Sequence, residues 1–353
     1  MAATFLLPSD DIDHLIPLET IPELAELQKE LDGTYWRPDE IKFDKDIADW
    51  KGVLSDAERK ICENAIVEFN VWDPLVSRVY SGSGDTFVHD VTLPQLLMMY
   101  TMIAGWEAIH TRSYAMMGNT LLGAKRMREL MATNVPGYIQ KKAKWFSDNI
   151  GSRYEGIKAH IVGFAKDSGD EAYYNVPRER LRDHARQVTV TAAIEGLFFQ
   201  PKFTSIYWLK KKGLMPSFAF ANELISRDEG LHFRVAAAYL KLLGYPLSVE
   251  ETKEIFMQAC ELECEGIVET HPDGLSGLSS ESLCQFTRYM CDCLLSLIFE
   301  KRTIAYGVDN PFPWMVSMAA SRITSFFEKD VSEYDSRTIA PQDALNPIVG
   351  QKW

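Results

Sequence analysis

The sequence predicts an all-α protein built from long packed helices, and three observations carry that prediction. Apolar residues recur at helical spacing through segments at roughly 55–80, 93–120, 177–211, 217–244, 249–269 and 280–305. Helix-start signals precede several of them: Ser55 to Glu58, Thr92 to Gln95 with Pro94 between, and Ser248 to Glu251 read as capping boxes. Finally, no stretch alternates apolar with polar residues for long enough to support a sheet, and no internal repeat is visible.

The segments differ in what interrupts them. In 55–80, Pro74 follows Asp73 and hints at a local distortion, because proline supplies no amide donor. Ser81-Gly82-Ser83-Gly84-Asp85 then has the turn chemistry of a loop. In 177–211, Pro201 predicts a kink or widened turn around Leu197 to Pro201, next to Glu195. His271-Pro272-Asp273-Gly274 marks the loop between the last two long segments. Residues 1–330 read as one helical domain, and 331–353, with Pro341, Pro347 and Gly350, as a flexible C-terminal tail.

Composition narrows the function. The chain has 353 residues with 37 Lys plus Arg against 50 Asp plus Glu, a formal charge of −13. Such acidity disfavours nonspecific binding to nucleic acid or to anionic membrane. The apolar runs are too short to span a bilayer and the N-terminus lacks the order of a signal peptide, so a cytoplasmic protein is expected. Six cysteines (Cys62, Cys260, Cys264, Cys284, Cys291, Cys293) form no CxxC pair and no zinc spacing; they read as reduced core residues.

The chemistry lies in two Glu-x-x-His pairs, Glu107 with His110 and Glu229 with His232. Three residues apart on a helix, both side chains share a face. One such pair means little, but each sits in an apolar helix that a bundle must bury, where uncompensated carboxylates cost several kcal/mol. Two more apolar helices carry a carboxylate, Asp73 in FNVWDPLV and Glu195 in TAAIEGLFF. Bundles that hold two metals use this set: one carboxylate from each of two helices, a Glu-x-x-His from each of the other two. Periodicity alone leaves Glu63 and Glu68 as rivals to Asp73. Oxygen-rich ligation with a minority of imidazole suits iron or manganese. Tyr114 follows His110 by one turn; on spacing alone it reads as a core tyrosine, but beside an oxygen-reacting metal pair a phenol is oxidisable. Phe199, Phe203 and Ile225 fall one or two turns from Glu195 and Glu229.

At this point the residues resemble the small, radical-generating subunit of class I ribonucleotide reductase, in the ferritin-like superfamily. The likeness runs from Tyr35 to Tyr334 through YWRPDEI, EAIHTRSY, AAIEGLFF, ELISRDEGLHF, NPFPWM and SFFEKDVSEY. It implies a ferritin-like bundle with additional helices. By resemblance Asp73, Glu107 and His110 hold one metal and Glu195, Glu229 and His232 the other, as two iron ions with manganese an alternative. Tyr114 would be a stable radical formed by oxygen activation, shielded by Phe199, Phe203 and Ile225. Trp36, Asp228 and His110 would carry an electron from the surface to the metals. Tyr334 and Glu328 would relay the radical to the large subunit, which reduces ribonucleotides to deoxyribonucleotides. A homodimer and a flavoprotein activator are further implied partners. The tail would dock on the large subunit, although Val349-Gly350-Gln351-Lys352-Trp353 departs from the acidic, Phe-containing ending that the family often shows. The competing reading is a related two-metal ferritin-like oxidase acting on a ligand of its own, which needs neither relay nor tail.

Overall fold

The computed structural model describes residues 21–81, 86–91, 93–133, 137–150 and 178–317. Among the described residues there is no strand. The helices run as α1 (Pro22–Asp32), α2 (Asp44–Gly52), α3 (Asp56–Tyr80), α4 (Pro94–Leu121), α5 (Gly123–Thr133), α6 (Gly137–Ile150) and α7 (Arg178–Ala193). A π-helical turn, Ile194–Phe198, leads to α8 (Gln200–Lys211), α9 (Pro216–Leu242), α10 (Val249–Thr270), α11 (Ser280–Phe299) and the short α12 (Trp314–Ser317). The all-α expectation holds. Helices α1, α2, α5 and α6 escaped the sequence reading because they are short and strongly charged; DKDIADWKG in α2 offers too few apolar residues for a period.

The capping boxes at Ser55 and Ser248 form as expected: Glu58 N–H donates to Ser55 Oγ at 3.3 Å, and Ser55 N–H to Glu58 Oε2 at 2.8 Å. Glu251 and Ser248 repeat the exchange at 3.2 and 2.9 Å. The third start differs. Helix α4 begins at Pro94 with Leu93 in the cap position and no side-chain cap, while Thr92 lies outside the described residues. The last long segment is also shorter than expected. Glu300 takes a left-handed conformation (φ 50°) that ends α11 at Phe299, and Asp292 then gathers the following loop by accepting N–H from Ala305, Tyr306 and Gly307 at 2.6–2.9 Å.

Segment 177–211 is the one whose interruption matters. The widened turn expected near Pro201 is present, three residues earlier than anticipated, and Glu195 lies inside it. Pro201 occupies the first turn of α8, where its missing N–H costs nothing. Gly196 permits close approach of α11: a Cβ there would lie 2.7 Å from Leu294 Cδ1. Helix α9 is seated differently. Its N-terminal amides have no local cap, and two buried aspartates of α2 replace one: Asp46 accepts from Ser217 N and Phe218 N, Asp49 from Met215 N at 2.9 Å. Negative charge at that positive helix end is favourable. Helices α3 and α4 pack along each other and α9 lies against α4, α7 and α8, so these five helices contribute to one buried apolar core. Cysteines 62, 260, 264, 284 and 291 are buried and free within it, as expected.

Candidate metal centre

Each expected ligand lies on its own part of this core. Helix α3 supplies Asp73, α4 Glu107 and His110, the π turn Glu195, and α9 Glu229 and His232; none is exposed to solvent. Donor atoms of Glu107, Glu195, Glu229 and His232 lie within 4.8 Å of one another. His232 Nδ1 is 3.0 Å from Glu107 Oε1, 3.4 Å from Glu229 Oε2 and 3.6 Å from Glu195 Oε2. His110 Nδ1 is 3.0 Å from Glu229 Oε1 and 3.9 Å from Glu107 Oε2. The charges of Glu107, Glu229 and Glu195 also act on the buried Asp73 carboxyl, while the group of donors within 4.8 Å contains neither Asp73 nor His110. The rivals of Asp73 point elsewhere: Glu63 pairs with Arg126 near the surface, and Glu68 with Lys142 and Lys202.

The chemistry of the donors tests whether a cation fits. Both oxygens of Asp73, Glu107, Glu195 and Glu229, with Nδ1 of His110 and both ring nitrogens of His232, are buried without a hydrogen bond. Close approach without hydrogen-bond alignment is what ligand atoms show when they aim at a common point between them. Leaving so many acceptors unsatisfied is otherwise prohibitive. Burial first, then mutual repulsion, pushes Asp73, Glu107 and Glu229 above the usual carboxylate range. Burial alone would lower His110, but Asp228, Glu229 and Glu107 outweigh it and raise the imidazole; His232 behaves alike through Glu107 and Glu195. The cluster therefore attracts positive charge. Its oxygen-rich donor set with two imidazoles matches iron or manganese.

The aromatic surroundings were only partly foreseen. Tyr114 is buried on α4, and its hydroxyl donates to Asn222 Oδ1 at 2.6 Å. Asn222 is itself oriented by donating Nδ2–H to Phe218 O at 2.8 Å. Burial, followed by the charges of Asp73 and Glu229, pushes the phenol well up and keeps it neutral. The ring stacked on Tyr114 is Phe69, at 4.4 Å between centres and 13° between planes. Phe199 and Phe203 pack on Phe69 at 5.2 and 5.1 Å, while Ile225 is buried on α9 one turn beyond Asn222. Phe69 and Asn222 were missed. Phe69 stands one turn before Asp73, a signal that spacing could have supplied; Asn222 in FANELI had none.

Trp36, in the turn after α1, donates Nε1–H to Asp228 Oδ2 at 2.8 Å, and that oxygen lies 3.3 Å from His110 Nε2. Arg227 holds the other oxygen at 3.0 and 3.1 Å and donates to Thr34 O at 2.7 Å. Trp36 itself is buried at 4% exposure, and its neighbour in the chain, Tyr35, is 69% exposed. Glu328 and Tyr334, Trp353 and the 330/331 boundary lie outside the described residues. No helix among the described residues is long and apolar enough to cross a membrane.

Fold and site together define a class: a helical bundle that gathers carboxylates and imidazoles from four elements around a dry, cation-attracting centre. Comparison with known proteins narrows it. Residues 17–311 match the family model for the ribonucleotide reductase small chain. The ribonucleoside-diphosphate reductase small chain of Trypanosoma brucei brucei is 32% identical over 331 residues, covering 93% of this protein and 88% of the relative. The Rnr4 homodimer of Saccharomyces cerevisiae has the same fold (TM-score 0.69, 22% identity, 94% of this protein and 93% of the other). So does the dimanganese(II)-NrdF of Streptococcus sanguinis (TM-score 0.64, 18% identity, 88% and 96%). The protein belongs to the ribonucleotide reductase small-chain family, the beta component of an oxidoreductase, with a ferritin-like helical fold.

Proposed function

We propose that Asp73, Glu107 and His110 hold one metal ion and Glu195, Glu229 and His232 a second, and that the loaded centre makes a stable radical at Tyr114. The supporting observation is the cluster of buried, unpartnered carboxylate oxygens converging one helical turn from that phenol. Iron is the favoured ion; manganese suits the same donors and occupies the Streptococcus neighbour. When bound in the reduced state, such a metal pair supplies the electrons and the site for reduction of dioxygen. The protein's own groups do the rest. Asp228 fixes the His110 ring through Nε2, leaving Nδ1 for the metal. The chain from Trp36 through Asp228 to His110 is the route by which an outside electron enters. Phe69, Phe199, Phe203 and Ile225 keep water from Tyr114, and Asn222 fixes its hydroxyl.

The radical then serves a ribonucleotide reductase large subunit, reached through Tyr334 and Glu328, with the 331–353 tail as the docking element. The functional unit is a homodimer, as in the yeast neighbour, with a flavoprotein activator where manganese is used. Electron paramagnetic resonance on metal-loaded, oxygen-treated protein tests this reading. A tyrosyl signal without histidine-nitrogen coupling is expected, and Tyr114→Phe should remove it. No signal in the natural sequence overturns the reading in favour of a two-metal oxidase without a radical, and one undiminished by that substitution overturns the assignment to Tyr114.

A further inference from the structure

The other side of the centre carries a second set of phenols. Tyr80, at the end of α3, has its ring centre 6.3 Å from that of His232. Its hydroxyl is buried and faces the ligand carboxylate of Glu195, which after burial itself is what pushes that phenol up. Tyr80 stacks on Tyr100 of α4, centres 5.6 Å apart and planes 18° apart. Tyr100 meets Tyr239 of α9 at 6.2 Å. Tyr239 is hydrogen-bonded through its hydroxyl to His184 Nε2 on α7 at 2.7 Å. All four side chains are buried.

We propose that this stack is a second one-electron outlet of the metal centre, ending in a radical on Tyr239 whose phenolic proton passes to His184. The proposal rests on the preceding reading, in which the metal centre, once oxidised by dioxygen, withdraws electrons from aromatic side chains. Rings in van der Waals contact let an electron move in short steps, and the stack leads without a break from the edge of His232 to Tyr239.

Where the hole settles is decided by the protons. A phenol that gives up an electron becomes a strong acid, and if no base is in reach it must remain a cation in a dry core, which is costly. Among the described residues Tyr100 has no hydrogen-bond partner for its hydroxyl, and the only base that Tyr80 reaches is the Glu195 carboxylate, which the proposed function commits to the metal, so neither holds the hole. Tyr239 has an imidazole within proton-transfer distance. Burial keeps His184 neutral and lowers its affinity for protons, yet an oxidised phenol is a far stronger acid than that imidazolium. The step balances: one electron leaves Tyr239 and, through Tyr100 and Tyr80, reduces the oxidised metal centre by one equivalent. The Tyr239 O–H bond breaks, an N–H bond forms at His184 Nε2, and a neutral tyrosyl radical beside an imidazolium remains.

The two sides of the centre thus differ in kind. Tyr114 stacks on a phenylalanine, whose ring is much harder to oxidise, and its hydroxyl meets an amide oxygen, which is no base. A hole on Tyr114 stays; a hole that enters Tyr80 drains away. The outlet discharges the centre when electron delivery through Trp36 fails, sparing the ligands from oxidation.

The test uses full-length Tyr114→Phe protein with ring-deuterated tyrosine and 15N-histidine, loaded with ferrous iron, exposed to oxygen and freeze-quenched for electron paramagnetic and electron–nuclear double resonance. A tyrosyl radical coupled to a histidine nitrogen is expected. It should vanish in Tyr114→Phe/Tyr239→Phe and in Tyr114→Phe/His184→Phe, which removes the proton acceptor, and weaken when Tyr100→Phe interrupts the stack. Absence of the radical, or its survival after Tyr239→Phe, overturns the proposal. The natural sequence treated alike reports on the Tyr114 reading separately: no radical there defeats that reading. Metal-free protein irradiated with ultraviolet light in the frozen state and annealed then decides the Tyr239–His184 pair alone. The same nitrogen coupling supports the pair, and its absence removes it.

Discussion

Trp36 and His110 are joined through a single oxygen atom: Asp228 Oδ2 accepts the indole N–H at 2.8 Å and lies 3.3 Å from the imidazole Nε2. Because Arg227 holds the other oxygen, the carboxylate has little freedom to turn away from the ring. It therefore sets which nitrogen of His110 faces the ligand cluster. Asp228→Asn keeps the shape but removes the charge, and an amide nitrogen in place of Oδ2 would oppose the ring. Loss of such an outer partner typically weakens metal binding about 10–100-fold. Iron titration under anaerobic conditions measures it, and an unchanged affinity would remove Asp228 from that role.

Phe69 is the contact that separates Tyr114 from the rest of the aromatic wall, since Phe199 and Phe203 both pack on it. Phe69→Ala opens a cavity against the phenol. The expected loss of stability is about 3–5 kcal/mol, read from urea unfolding of metal-free protein. Water admitted to that cavity should also shorten the lifetime of a Tyr114 radical. A loss below about 1 kcal/mol would mean that the site collapses around the smaller side chain.

How much of this was legible beforehand depends on how local each signal is. The four ligand-bearing helices were readable because each buries a long apolar face, which writes a 3.6-residue period into the sequence. Glu107 with His110 and Glu229 with His232 were readable because their spacing lies within one helix. Asp73 was not separable from Glu68 by periodicity, since both are buried on α3. What distinguishes them lies on other helices: Lys142 of α6 and Lys202 of α8 neutralise Glu68, whereas no Lys or Arg among the described residues pairs with Asp73. Asn222, Phe69 and the tyrosine stack were hidden for the same reason, as their partners are brought together only by helix packing. Pro201 announced a widened turn, but the turn lies three residues upstream, around Gly196, whose contact with Leu294 of α11 is made only by helix packing.

His184 offers a pH test independent of the metals. Burial pushes its pKa down from 6.5 to about 3. A depressed folded-state pKa means that the unfolded chain takes up a proton which the folded chain refuses. The stability contribution is therefore complete above about pH 6.5 and is lost as the pH falls toward about 3, to a ceiling of about 5 kcal/mol. His184→Gln keeps a hydrogen-bonding partner for Tyr239 but does not titrate. Denaturant unfolding at pH 7 and pH 4 should show a smaller acid-induced loss in the variant than in the natural sequence. Equal losses would mean that His184 takes its proton without unfolding.

The buried ion quartet gives a prediction in which two substitutions do less harm than one. Lys142 is fully buried and paired with both Glu68 and Glu263; Lys202 reaches the same two carboxylates at 2.9 and 3.3 Å, and Tyr138 donates to Glu68 at 3.2 Å. Two cations and two anions from α6, α8, α3 and α10 thus cancel without solvent. Lys142→Met leaves two buried carboxylates to share one ammonium, an imbalance that costs about 3–5 kcal/mol. Adding Glu68→Met restores neutrality around the remaining Lys202–Glu263 pair, and apolar replacement of a whole buried ion pair is often neutral or stabilising. The double variant should therefore unfold at higher urea than Lys142→Met alone, a coupling of opposite sign to that of two independent core losses. Additive losses would show that Glu68 holds α3 by something other than charge balance, with Tyr138 as the remaining contact to examine.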